Sequence, residues 1–174
     1  AALLLTRREL IPSERNYPLV KIAGSSASSD TLALHDRKDM LYFDTAQISA
    51  GKAMKQAGLT LDKINFFEYH DTFGIYAALQ LEAVGFAIKG KGWKLAAEGE
   101  IGSKGKIPCA TMGGMKARGF AGGAAGVYQA VDATVYRLRS TVIFIKLGIV
   151  NAESNAAKPK NRFGTSQRAL TRKL

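Results

Sequence analysis

An α/β layered domain, with a mixed sheet and buried helices, is the fold class this 174-residue sequence predicts. Short runs rich in β-formers alternate with helical stretches, the order that layered α/β domains show. Two of the helical stretches are apolar on nearly every side, which fits helices enclosed between layers. A glycine-dense stretch then breaks the pattern: twelve of the eighteen glycines fall between residues 85 and 126, where neither helix nor strand can run throughout.

The elements follow in chain order. Ala1 to Thr6 reads as a buried strand; the apolar run is too short for a signal peptide and has no basic region before it. After a polar connection through Pro12, Ser13 and Asn16, Leu19 to Ser26 reads as a second strand running into a serine-rich loop. Residues 27–43 show no period and carry the charged run His35-Asp36-Arg37-Lys38-Asp39, which implies an exposed segment. A helix begins near Asp44, which with Gln47 can form a capping box; Ala46, Ala50, Met54 and Ala57 make its apolar stripe and Gly58 its stop. Ile64 to Tyr69 is a strand ending at His70. Asp71 is placed to cap the first buried helix, about Thr72 to Val84, which stops at Gly85. The second runs from about Gly123 to Leu138, and Thr141 to Ile145 is the final strand. The domain is expected to span residues 1–150, with residues 151–174 as a flexible basic tail.

The net charge of +11 lies mostly at that end. Residues 137–174 hold nine Lys/Arg and one acid, and residues 1–136 hold sixteen Lys/Arg and thirteen acids. The balances are +8 and +3, so any field-driven capture of a polyanion belongs to the tail. Phe163 is the one aromatic residue there to stack on a base, which argues against nucleic acid. A single cysteine, Cys109, excludes an internal disulfide and a multi-cysteine metal site, and suggests a reducing, cytoplasmic setting. No run approaches the roughly 20 apolar residues of a membrane span.

Two motifs carry chemistry. His70-Asp71-Thr72-Phe73 stands at the carboxyl end of a strand, where open α/β sheets place ligands. A histidine there can donate to a carbonyl oxygen or move a proton near neutral pH; alternatively it is a structural strand-end residue. Gly113-Gly114-Met115-Lys116-Ala117-Arg118-Gly119, followed by Gly122-Gly123, offers backbone amides and two cations ahead of a helix. That can hold an anion, or the glycines can simply let loop and sheet pack closely. The spacing fits neither a Walker A loop nor a dinucleotide fingerprint. Cys109 follows Pro108 in the loop before these glycines and has no histidine near it in sequence, as an inert thiol would.

Together the His-Asp-x-Phe and Gly-Gly-x-Lys-Ala-x-Gly motifs resemble the C-terminal half of a thiolase, in the branch of sterol-carrier-protein-type and archaeal enzymes. The resemblance covers roughly residues 1–138. It implies a layered half-fold in which two such halves stack and bury helices between their sheets. It implies acyl-CoA C-acyl transfer: condensation of acetyl-CoA, or thiolysis of a 3-oxoacyl-CoA, through an acyl-enzyme on a cysteine. By resemblance His70 contributes to the oxyanion site, and Gly113, Gly114, Lys116 and Gly119 shape the substrate pocket. No cofactor or metal is implied, the coenzyme A thioester being the substrate. The chain departs from the family in one place that matters. Thiolases continue the last glycine of the second motif with His-Pro, and that histidine activates the cysteine; here Phe120-Ala121 follows Gly119. The family also tends to have asparagine and a small polar residue where Ala110 and Met112 stand.

Three functions stay open at this point. The chain is a catalytic half completed by an N-terminal half on another chain, which brings the nucleophilic cysteine. It is instead a noncatalytic assembly module or truncated remnant, with a homodimer as its partner state. Or it binds an anionic polymer through its tail.

Overall fold

Small and long-stemmed side chains over residues 44–57 form the first long helix of the computed structural model, which describes residues 2–14, 19–137 and 148–149. This helix, α1 (Asp44–Ala57), starts one residue earlier than a capping box at Asp44 would allow. Phe43 is the N-cap and its carbonyl accepts from the amides of Ala46 and Gln47. Asp44 therefore lies inside the first turn, where its charge complements the helix dipole but its side chain caps nothing. The C-terminal stop is as expected. Gly58 is left-handed at φ +67°, its amide reaches Lys55 O, and Leu59 N–H reaches Met54 O, which closes a Schellman motif. Helix α2 (Gly74–Val84) ends the same way at Gly85, with Phe86 N–H on Leu81 O.

Burial follows the apolar content of each helix. Residues Leu79 to Val84 of α2 are buried without interruption, so the second half of that helix is enclosed on every side. α1 buries only Ser49, Ala50 and Ala53, whose small side chains let neighbouring backbone approach. Helix α3 (Gly92–Ala97) starts directly on α2: a Cβ at position 92 would lie 2.3 Å from Ala78 O, and Gly92 N–H donates to Glu82 Oε1 at 2.8 Å. Ala50, Ala53, Leu81 and Val84 from the helices pack with Ile64, Phe67, Tyr69 and Ile107 as the core.

The sheet differs most from expectation. Strand β1 (Ala27–Ser28) pairs in parallel with β2 (Gly148–Ile149), Ala27 opposite Gly148. Residues 64–69 run extended and mostly buried, but join 107–110 through one parallel bridge, Phe67 to Cys109. Among the described residues this ladder and this bridge are the only strand pairings, both parallel, so the expected mixed sheet is not seen there. The expected strands at 1–6 and 19–26 are absent: residues 2–6 form none and are exposed, Leu4 at 97%, and β1 begins only after residue 26. Apolar composition cannot make a strand unless a neighbouring backbone accepts its hydrogen bonds. The expected strand at 141–145 and the basic tail at 151–174 lie outside the described residues.

Beyond α3 the glycine-rich chain leads to a short helix, α4 (Gly114–Arg118), then a 3-10 turn at Gly122–Ala124 and helix α5 (Ala125–Arg137). α5 is buried along one face, at Ala125, Gln129, Asp132 and Ala133, whereas Val135 is 41% exposed. The expected all-round burial of this helix is not met. Two of its four buried side chains are polar, and both find partners in the site.

Candidate functional site

The two motifs meet through one carboxylate. Asp71 is buried, and its Oδ1 accepts from Met115 N–H at 2.7 Å while Oδ2 accepts from Lys116 N–H at 3.4 Å. Asp71 thus caps α4 from across the molecule and not the helix that follows it in sequence. At α2 the N-cap is Phe73, which makes no side-chain bond. The reason lies at Gly113 and Gly114, whose φ of +90° and +62° swing the first-turn amides of α4 toward Asp71. These two amides, counted from sequence as free for an external anion, are already occupied. Lys116 leaves its side chain exposed, and Gly119 closes α4 at φ +88°.

His70 is half-buried at the end of the extended segment, among aromatic rings. The Phe120 ring lies 5.3 Å away and nearly perpendicular, and the Tyr76 ring 6.3 Å away. Tyr76 in turn meets Phe73 and Phe43 edge-on, at 5.3 and 5.5 Å. Phe120 therefore sits against the motif histidine, with 57% of its surface exposed. Thr72 Oγ1 is 2.8 Å from His70 Nε2 and 3.3 Å from Met115 Sδ. Burial holds the imidazole below its ordinary titration point, and the nearby Asp71 charge offsets part of that. The lowered titration point favours the neutral imidazole. The second histidine, His35, is exposed beside Asp36, as its charged surroundings predict.

Sequence reasoning missed a buried polar group behind the glycine loop. Glu68 Oε1 accepts from both the amide and the hydroxyl of Thr111, at 2.7 and 2.6 Å, while Oε2 is buried with no hydrogen-bond partner among the described residues. Arg118 pairs with the buried Asp132 and lies 5.4 Å over the Tyr128 ring. Gln129 donates to Tyr69 O and Gln80 bonds the backbone of His70. The available signal was one or two polar residues inside each apolar run: Glu68 in the extended segment, Gln80 and Glu82 in α2, Gln129 and Asp132 in α5. Such residues are kept buried only where partners meet them.

Burial of Glu68 raises its carboxyl above the ordinary value, against the lowering effect of the Thr111 bonds. The folded state therefore binds this proton more tightly than the unfolded state. The Glu68 contribution is fully present below about pH 4.5 and is lost as pH rises through the raised folded value. Melting temperatures of wild type and Glu68→Gln, measured across that interval, should show the wild type falling relative to the variant. A difference that stays constant with pH would remove Glu68 as its source.

Cys109 is partly buried, and its thiol donates to Ile107 O at 3.2 Å. Burial first, and the Glu68 charge second, push its titration up to about 12. Alkylation at pH 8, followed by mass spectrometry, should run on the order of a hundredfold slower in the folded protein than in urea. Comparable rates would contradict the inert assignment. Among the described residues no group of three or more His, Cys, Asp or Glu side chains is arranged to hold a metal ion, and no helix is long and apolar enough to cross a membrane.

Comparison with known proteins follows these motifs. The family model described as "Thiolase C-terminal domain-like" matches residues 26–143. The acetyl-CoA acetyltransferase of Methanothermobacter thermautotrophicus is 37% identical over 139 residues, covering 80% of this chain and 36% of that protein. Human sterol carrier protein 2 is 32% identical over 93 residues, covering 53% of this chain and 17% of its own. A solved structure titled Ltp2-ChsH2(DUF35) aldolase superposes with a TM-score of 0.54 at 23% identity, over 66% of this chain and 29% of that one, and supports the fold. The chain thus spans about a third of the length of the archaeal relative. With the match running through both the His70 segment and the loop that Asp71 ties to it, this chain belongs to the thiolase C-terminal domain family.

Proposed function

We propose that this chain is the C-terminal half of a thiolase-type acyl-CoA C-acyltransferase, acting with an N-terminal half that supplies the nucleophilic cysteine from outside these 174 residues. The reaction is condensation of acetyl-CoA or thiolysis of a 3-oxoacyl-CoA, with no cofactor beyond the thioester. The observation that carries this reading is the Asp71 junction, which sets His70 beside the Gly113–Gly119 loop. A neutral imidazole can hold a thioester oxygen as negative charge develops on it, provided its N–H points outward. Thr72 supports this arrangement by holding the ring at Nε2, 2.8 Å from its Oγ1, which leaves the Nδ1 edge of the imidazole for the substrate. Gly113, Gly114, Lys116 and Gly119 form the pocket wall, Lys116 offering a cation to the anionic substrate. In this reading the domain occupies residues 1–150, with a separate basic tail. The buried thiol of Cys109 agrees with a reducing, cytoplasmic setting.

The test combines the purified chain with the N-terminal half of the 37%-identical archaeal relative and follows cleavage of acetoacetyl-CoA. The chain alone should be inactive and the combination active. His70→Ala in the combination should cost roughly 10²–10³ in kcat, the usual loss for one oxyanion donor. Turnover unchanged by His70→Ala would sink the role of His70. One observation favours a second reading, a noncatalytic module kept for assembly: Phe120 fills the place of the base. That reading expects a stable complex with no turnover.

A further inference from the structure

We propose that Gln80 is the positioning residue of this site, its side-chain amide standing in for a β-ladder partner, of which the His70 peptide has none among the described residues. The inference rests on His70 being the histidine that faces the thioester. Gln80 lies in the enclosed half of α2 and is 4% exposed. Its Oε1 accepts from His70 N–H at 3.0 Å, and its Nε2 donates to His70 O at 2.7 Å and to Tyr76 O at 2.9 Å. Both amide protons are used, and the orientation is forced. A flipped amide would set Nε2 against the His70 N–H and Oε1 against two carbonyl oxygens.

The need for such a clamp follows from the fold. The extended segment has backbone partners at Phe67, through Pro108 and Ala110, and the bridge goes no further. Two residues on, glutamines from two helices take over: Gln129 of α5 on Tyr69 O, and Gln80 of α2 on both sides of His70. Helix α2 is otherwise the most apolar in the chain, and a buried amide there is tolerated because its polar atoms are matched. The backbone of His70 is thereby fixed to a rigid helix, while Thr72 holds the ring. The bond to Tyr76 O ties in the turn whose ring borders the imidazole.

The chain has only two histidines, and His35 is exposed, so imidazole signals of histidine-labelled protein separate into a site and a reference. In Gln80→Met, similar in volume and unable to hydrogen-bond, the His70 ring signals should move toward those of His35 while His35 is unchanged. With the complementing N-terminal half, kcat should drop about tenfold to a hundredfold at unchanged KM, as misplacement of a reacting group produces. In wild type the His70 amide should exchange at least roughly tenfold more slowly than an open amide, being bound by Gln80 alone. This last measurement stands even if the variant fails to fold. Unprotected exchange at His70, or ring signals identical in Gln80→Met and wild type, overturns the proposal. Failure of the thiolase reading shows separately, as a wild-type combination that forms and does not cleave acetoacetyl-CoA, and failure of the His70 role as a His70→Ala protein that turns over like wild type.

Discussion

Phe120→His should raise acetoacetyl-CoA cleavage by the complemented protein by at least tenfold, and by up to the roughly 10²–10⁴ that a positioned general base contributes. The position is suited to the exchange. Phe120 follows Gly119, where the family carries its activating histidine, and the phenyl ring stands 5.3 Å from His70. More than half of its surface is exposed, so an imidazole there would keep near-ordinary titration and the substitution should cost little stability. The gain should appear in kcat with a new limb in the pH profile near the ordinary histidine range. A complex that forms with Phe120→His and still shows no turnover would mean that more than the base has been lost. The assembly reading would then replace the catalytic one.

Gly114→Ala should destabilise the domain by about 2–5 kcal/mol, from two separate costs. The residue sits at φ +62°, where a side chain costs about 1–2 kcal/mol. The added Cβ would also lie 2.2 Å from Asp71 Oδ2 and 2.8 Å from Oδ1. Relief requires Asp71 to withdraw, which leaves the buried Met115 amide without its acceptor, at about 1–3 kcal/mol. Thermal unfolding should fall by on the order of 10 °C for a domain of this size. Gly51→Ala is the control: it is exposed within α1, its new methyl would have nothing within 4 Å, and it should stabilise by up to about 1 kcal/mol. The cause is tested by a double-mutant cycle with Asp71→Ala. With the carboxylate gone, the cost of Gly114→Ala should shrink toward the backbone term alone. Strict additivity would show that the Asp71 contact is not the source.

The positions of α1, α2 and α5 were legible because their signals are local, whereas α3 and α4 lie in the glycine-dense stretch where no helix was expected. The apolar spacing within residues 44–57 and 74–84, closed by Gly58 and Gly85, requires only neighbours in sequence to take effect. Strands were not legible in the same way. The leucines at 3–5 and the run at 19–26 have strand-like composition, but no described backbone pairs with them, whereas Phe67 is bridged by Cys109 forty-two residues away. The family motifs could also be read, since residue identity at fixed spacing is a property of the chain itself. What they do to one another could not.

Residue identities close along the chain were enough for α1, α2, α5 and the family. The folded arrangement was needed to show that Asp71 caps α4 instead of α2, that Gln80 and Gln129 grip the strand end, and that Glu68 lies buried behind Thr111. Each of these is a polar group withdrawn from water, and a buried polar group is stable only beside whichever partner the fold brings to it.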